Sequence, residues 1–235
     1  MRAVIFDIGG TLADYPIPLN WSALYRPAFE RIAERYGIAI TEDEYAHIGG
    51  VLAKYNARIH PRTVEVSSEQ IFSELLSGTS ITADPLLIRR EFYAYFRNDV
   101  RLYPEAERVL SDMSRRFITG TLSDVAYGMD NEFALADIAP LLGYIRYPYT
   151  SNDTGYRKPC GKGLVMLADE MGIRTSEMMF VGDEKKDIEC AHDAGAVSVL
   201  INRSGEPRSF GQDFTVSDLT GLYTLPGIAA QGGNT

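Results

Sequence analysis

Apolar positions along this chain fall into two rhythms. Residues 2–6 (Arg-Ala-Val-Ile-Phe) form a short apolar run that stops at Asp7 and a Gly-Gly-Thr turn. A brief continuous apolar run closed by turn residues predicts a buried strand. In an open α/β sheet the end of such a strand is the usual place for a site. From 20 to 97 the rhythm is helical. Leu24, Ala28, Ile32 and Tyr36 recur at helical spacing, and Gly37 stands where a C-cap would be. Thr41-Glu42-Asp43-Glu44 and Ser67-Ser68-Glu69-Gln70 both have the form of a capping box. Asp84-Pro85 offers an N-cap and a first-turn proline before a helix running to about Asn98. This stretch predicts helices and no strand.

After Pro104 the rhythms alternate. Helices are expected over 104–115, around 127–136, over 162–171 and over 185–194, with strands at 117–122, 144–149, 178–181, 196–201 and, shortest, 214–216. Strands alternating with helices mean βαβ units and a mostly parallel sheet. The fold class is therefore α/β: a Rossmann-like parallel sheet core flanked by helices, with an inserted α-helical cap. The boundaries place residues 1–16 and 98–235 in the core and 17–97 in the cap, and the tail from Gln231 is expected to fray.

Composition narrows the function. With 45% hydrophobic and 23% charged residues over 235 positions, the chain is an ordinary globular one and wholesale disorder is excluded. Lysine and arginine number 23 against 32 acidic residues, a net charge of −9, which argues against a nucleic-acid binder. No apolar run approaches the roughly 18 residues of a membrane span. The N-terminus turns acidic too soon for a signal peptide, and Cys160 and Cys190 make no disulfide framework. The expectation is a soluble cytoplasmic protein, monomer or homodimer, with no nucleic-acid or membrane partner.

The expected strands end at Asp7, at Ser123, just before Lys158, and at Asp183. A common sheet edge would gather two carboxylates, a hydroxyl and an ammonium. Two carboxylates on adjacent loops suit a hard cation such as Mg²⁺ together with a substrate phosphate. A carboxylate can also act as a nucleophile and form an aspartyl-phosphate, with Lys158 and Ser123 holding the phosphoryl oxygens.

At these residues the sequence resembles the haloacid dehalogenase superfamily. Phe-Asp7-Ile-Gly-Gly-Thr11-Leu is similar to its first motif, Gly120-Thr-Leu-Ser123-Asp124 to its second, and Tyr156-Arg-Lys158-Pro159 to its third. Val181-Gly-Asp183-Glu184-Lys-Lys-Asp187, followed by Ala194-Gly195, is similar to its fourth. The motifs occur in order over residues 4–201, and the helical insert stands where that family carries its cap. The resemblance implies a Mg²⁺-dependent hydrolase, foremost a phosphatase of a small phosphorylated metabolite. Asp7 would be nucleophile and metal ligand, Thr11 a support of its loop, Ser123 a phosphoryl-binding group and Lys158 a neutraliser of charge. Asp183 would be a direct metal ligand, Asp187 or Glu184 would act through water, and the Gly9 backbone carbonyl would complete the set.

One position departs from the pattern. Gly9 stands where the family's phosphatases carry the Asp that protonates the leaving oxygen and later activates water. Loss of such an acid–base group costs roughly 10²–10⁴-fold, most for alkyl leaving groups. Family members that cleave carbon–halogen or carbon–phosphorus bonds also lack that Asp. The dehalogenases, however, do not keep a metal-type fourth motif, and C–P cleavage uses a cap lysine, for which Lys54 is the candidate here. A non-catalytic binding or regulatory member is the reading from a different class. Asp7-Ile-Gly-Gly-Thr11 also resembles the phosphate loop of actin- and hexokinase-fold kinases, where it joins a β-hairpin. Here Pro16 and Pro18 interrupt the second strand that reading needs.

The remaining polar residues read more plainly. Cys160 and Cys190 are packing residues, and His47, His60 and His192 lack metal-ligand spacing. Lys54, Arg58, His60 and Arg62 form a basic run, either a solvated face or a hold on the far end of the substrate. Tyr25, Tyr36, Tyr45 and Tyr55 suit either a cap–core contact or packing within the cap.

Overall fold

The computed structural model describes residues 1–16, 22–97 and 100–229. The chosen boundaries at 17 and 98 and the tail from Gln231 lie outside the described residues. Strand β1 (Ala3–Phe6) leads through a tight loop to β2 (Ala13–Asp14). Four helices follow: α1 (Tyr25–Tyr36), α2 (Glu42–Tyr55), α3 (Ser68–Ser77) and α4 (Pro85–Phe96). Strand β3 (Arg101–Leu102) returns the chain to α5 (Ala106–Ser114) and β4 (Ile118–Ser123). Then come α6 (Asn131–Ala134), β5 (Tyr147–Thr150), α7 (Ser151–Thr154), α8 (Lys162–Met171), β6 (Met178–Gly182), α9 (Lys185–Ala194), β7 (Val197–Ile201) and β8 (Phe214–Val216).

Six strands form one parallel sheet in the order β5-β4-β1-β6-β7-β8. Alternate residues of β1 serve opposite faces. Val4 and Phe6 pack with Val109, Leu110 and Met113 of α5. Ala3 and Ile5 pack with Leu164 and Leu167 of α8 and Ala191 of α9. Every residue of β1 and β6 is buried, so these strands read as continuous apolar runs rather than alternating ones. Asp7 begins the loop from the middle of this sheet, its N–H donating to the Val181 carbonyl at 2.8 Å.

Helices α1 to α4 share a second apolar cluster, which also takes in Val125, Tyr127 and Met129 from beyond β4. Tyr45 and Tyr55 are buried in it and Tyr25 and Tyr36 pack against it, so the four tyrosines serve packing within the helical unit. Local signals set the helix ends. Gly37 caps α1 in the left-handed conformation at φ 62°. Asp84 accepts from the Leu86 N–H. Thr41 and Glu44 close a full capping box, whereas of the box expected at Ser67 one half forms, from the Gln70 N–H to the Ser67 hydroxyl.

Glu44 gives a pH prediction. Bonds from the Thr41 N–H and from Ser80 hold its carboxyl down at about 2. A carboxyl depressed in the folded state adds stability above its unfolded value and loses it as pH falls through the folded one. The box should therefore weaken between about pH 4.5 and about 2. Glu44→Gln should lower the urea midpoint at neutral pH and converge with the parent at the acid end of that window.

Three expectations need correction. The strand expected at 144–149 starts later, at Tyr147, because a 3₁₀ stretch over Leu135–Tyr144, containing Pro140, precedes it. The insert is not free of extended pairing: Val64 forms an antiparallel bridge with Tyr156, with Glu65 N–H on the Gly155 carbonyl and Arg157 N–H on the Thr63 carbonyl, both at 2.9 Å. Finally, Ala13–Asp14 does form a short strand, but it pairs with β3 rather than folding back on β1 as a kinase-type hairpin would.

Candidate active site

The parallel register puts Asp7, Ser123 and Asp183 at the carboxyl ends of neighbouring strands, and the loop after α7 delivers Lys158. All four line one cavity of about 280 Å³ together with Gly9 and Gly10. Backbone choice makes this possible. Gly10 lies at φ 70°, and a Cβ there would come within 2.2 Å of an Asp183 carboxylate oxygen, so only glycine lets the two loops approach. A Cβ on Gly182 would likewise strike Asp187 at 2.4 Å.

Lys158 is buried, its ammonium 2.8 Å from Asp7 Oδ1 and 2.5 Å from Asp187 Oδ1. Burial disfavours its charge, yet Asp187, Asp7 and Asp124 outweigh burial and hold the ammonium well above its ordinary range. Asp187 accepts Lys158 on Oδ1 and the backbone N–H groups of Asp183 and Glu184 on Oδ2, at 3.1 and 2.8 Å. Both its oxygens are committed, which fixes the lysine and the loop after β6. Asp124 accepts the Lys158 N–H at 3.0 Å. Burial pushes Asp124 up, but Lys158, Arg157 and Lys186 together hold it below the usual carboxylate range.

Burial raises Asp187 above the usual carboxylate range, and Asp183 lies higher still. Burial, then the charges of Asp7, Asp187 and Glu184, push Asp183 up to about 7. Its Oδ1 is buried without a hydrogen-bond partner among the described residues, and one ligand atom each from Asp7, Asp183 and Asp187 lies within 4.8 Å of the others. An orphaned carboxylate oxygen amid like charges is what a hard, oxygen-seeking divalent cation would satisfy. The donor set thus fits Mg²⁺. Thr11 is fully buried with its Oγ1 also unpartnered among the described residues. It does not line the cavity.

Several residues of the cavity have no forewarning in the strand-end pattern. Tyr15 flanks Gly9 and donates to Asp137 Oδ2 at 2.9 Å, while Arg97 holds Asp137 through Nε at 2.9 Å. Burial, then Asp137, hold the Tyr15 phenol far above its ordinary range, so it stays protonated. Asp124 stands directly after the strand-ending Ser123, a position from which it was readable. Lys186 also lines the cavity, beside Glu184, which the fourth motif had pointed to. Arg58 reaches across from the helical insert to Glu184 at 2.8 Å.

The basic run divides. Arg58 and Arg62 face the core, whereas Lys54 lies on Glu74 at 2.7 and 2.8 Å and lines neither this cavity nor its neighbour. His47 meets the Glu74 carbonyl, His192 meets Ser198, and His60 is exposed. Both cysteines are free, and burial pushes the Cys190 thiol up. No helix among the described residues is long and apolar enough to cross a membrane.

Comparison with known proteins agrees with this geometry. The chain is 25% identical over 219 residues to a ribulose-1,5-bisphosphate 5-phosphatase of Halopiger xanaduensis, covering 87% of this chain and 86% of that one. It is 25% identical over 228 residues to a phosphatase of Mycobacterium tuberculosis, covering 96% of each. In structure it is similar to a 2-haloacid dehalogenase from Pseudomonas syringae pv. Tomato, with a TM-score of 0.68, 19% identity and coverage of 99% of this chain and 100% of that one. The last likeness concerns the fold. The family model for haloacid dehalogenase-like hydrolases matches residues 1–195, and the chain belongs to that family.

Proposed function

We propose that this hydrolase is a Mg²⁺-dependent phosphatase of a small phosphorylated metabolite, acting through an aspartyl-phosphate on Asp7 and restricted to good leaving groups. The juxtaposition of Lys158, from the loop after α7, with Asp7 and the unpartnered Oδ1 of Asp183 at the ends of β1 and β6 supports this most strongly, and both curated relatives above are named phosphatases.

In this reading Asp7 Oδ attacks phosphorus and the bond to the leaving oxygen breaks. Ser123 and Lys158 hold the non-bridging oxygens as charge develops on them. Lys158 is kept in place by Asp187, and Thr11 supports the turn that presents Asp7. Water then attacks phosphorus, releasing inorganic phosphate and restoring the carboxylate. Asp7, Asp183 and the Gly9 carbonyl would hold Mg²⁺, which offsets the negative charge a carboxylate meets on approaching a phosphoryl group. Gly9 offers no proton, so the leaving oxygen departs as its own anion, and acyl or aryl phosphates suit the site better than alkyl ones. The division at residues 17 and 97 makes the helical insert a cap over this cavity.

C–P cleavage in this family uses a cap lysine, and the candidate Lys54 is engaged by Glu74 and lines neither cavity, so this alternative lacks its cap nucleophile. For the phosphatase, aryl phosphate hydrolysis should require Mg²⁺, vanish with EDTA and return when Mg²⁺ is restored. Undiminished turnover in EDTA would contradict the proposal.

A further inference from the structure

The reaction cavity adjoins a second one of about 410 Å³, and Arg58, Asp124, Lys158, Glu184 and Lys186 line both. The second cavity lies between the insert segment from Tyr55 to Thr63 and the core loops around Val125 and Arg157. Five cations line it: Arg58, Arg62, Arg157, Lys158 and Lys186. Against them stand two carboxylates, Asp124 and Glu184. In a chain of net charge −9 this is a strong local reversal of sign.

The carboxylates present do not exhaust these donors. Arg157 is held by Glu65, by the Val125 carbonyl at 2.7 Å and by Asp124. Lys186 lies 3.3 Å from Asp124 and 3.0 Å from Glu184. Arg62 is the least satisfied. One amino group donates to the Tyr55 carbonyl at 2.7 Å, and the other reaches Glu65 at 3.4 Å. Its Nε is buried with no hydrogen-bond partner among the described residues. A guanidinium short of one partner, with a second guanidinium beside it, favours an anion.

We propose that this second cavity binds a second anionic group of the substrate, so that the substrate class is a small metabolite bearing a phosphoryl ester at one end and a phosphate or carboxylate at the other. This rests on the phosphatase reading for the reacting end, since the same walls continue from Lys158 to Arg62. The far anion would sit on Arg62, with Arg58 and Lys186 exchanging part of their hold on Glu184 for it.

The test uses aryl monophosphates of matched skeleton whose far ring substituent ends in a hydroxyl, a carboxylate or a second phosphate, with the unsubstituted aryl phosphate as reference. In the parent protein kcat/KM for the better of the two anionic ends should exceed that for the hydroxyl end by about 10-fold or more, the worth of a charged hydrogen bond. Which of the two wins identifies the anion. Arg62→Gln should erase most of that ratio, and Arg62→Lys should retain part of it. If Arg62→Gln does not fold, the more exposed Arg58→Gln reads the same ratio. No preference for an anionic far end in the parent protein would overturn the proposal, as would a variant that lowers every substrate by the same factor. Thermal-midpoint shifts with the same compounds separate the two readings. An anionic preference in binding without turnover of any ester would overturn the phosphatase and keep the subsite, whereas turnover without preference would do the reverse.

Discussion

Asp7→Asn should abolish aryl phosphate hydrolysis at saturating Mg²⁺, lowering kcat by on the order of 10⁴-fold or more. The amide keeps the shape of the side chain but loses the charge and the nucleophilic lone pair that attack requires. The fold should survive the change. Lys158 keeps Asp187 at 2.5 Å and the Asp124 carboxylate on its backbone N–H, and the Asp7 N–H still bonds the Val181 carbonyl. An unchanged thermal midpoint beside lost turnover therefore assigns the effect to chemistry. Equal rates for parent and variant would contradict the role of Asp7.

Gly9→Asp should raise turnover of alkyl phosphates by about 10²-fold, the lower part of the range for general acid–base catalysis, with a smaller gain for aryl phosphates, which need only the activated water. The backbone admits the change. A Cβ at position 9 would meet only Tyr15 ring carbons, at 3.7 Å, which is ordinary contact. At the neighbouring Gly10 the same addition is barred by φ 70° and by Asp183. The new carboxyl would stand beside a phenol already committed to Asp137, so it would not be neutralised by that neighbour. An alkyl leaving group gains most because its oxygen is the poorest anion. Unchanged alkyl phosphate rates would mean that the absent acid is not what limits this enzyme, and a non-catalytic or otherwise specialised role would gain ground.

The sheet and its strand ends were legible because physics writes them locally. A strand buried on both faces needs an unbroken apolar run, and Asp7 and Asp183 are the polar residues that end such runs. Lys158 was legible through its neighbours in the third motif. The partners that hold these groups were not. Glu65 and Arg157 are far apart in sequence and meet only because the Val64–Tyr156 bridge brings the insert onto the lysine loop. Tyr15 reaches Asp137 across a similar separation. Such pairs leave no periodic trace in either segment. The basic run shows the same limit. Three cations close in sequence, Lys54, Arg58 and Arg62, part company in space, Lys54 to Glu74 and Arg58 to Glu184, because the helix α2 ends between the first two at Tyr55. The acidic balance of the whole chain was likewise a poor guide to its cavities, one of which five cations line.

The central claim is a phosphoryl group carried on Asp7. Rapid acid quench of the enzyme turning over an aryl [³²P]phosphate tests it most directly. The account predicts acid-stable, hydroxylamine-labile label on the protein, mapping to the peptide that contains Asp7 and absent from Asp7→Asn. Turnover that proceeds with no label on the protein, or label that persists in Asp7→Asn, would contradict it.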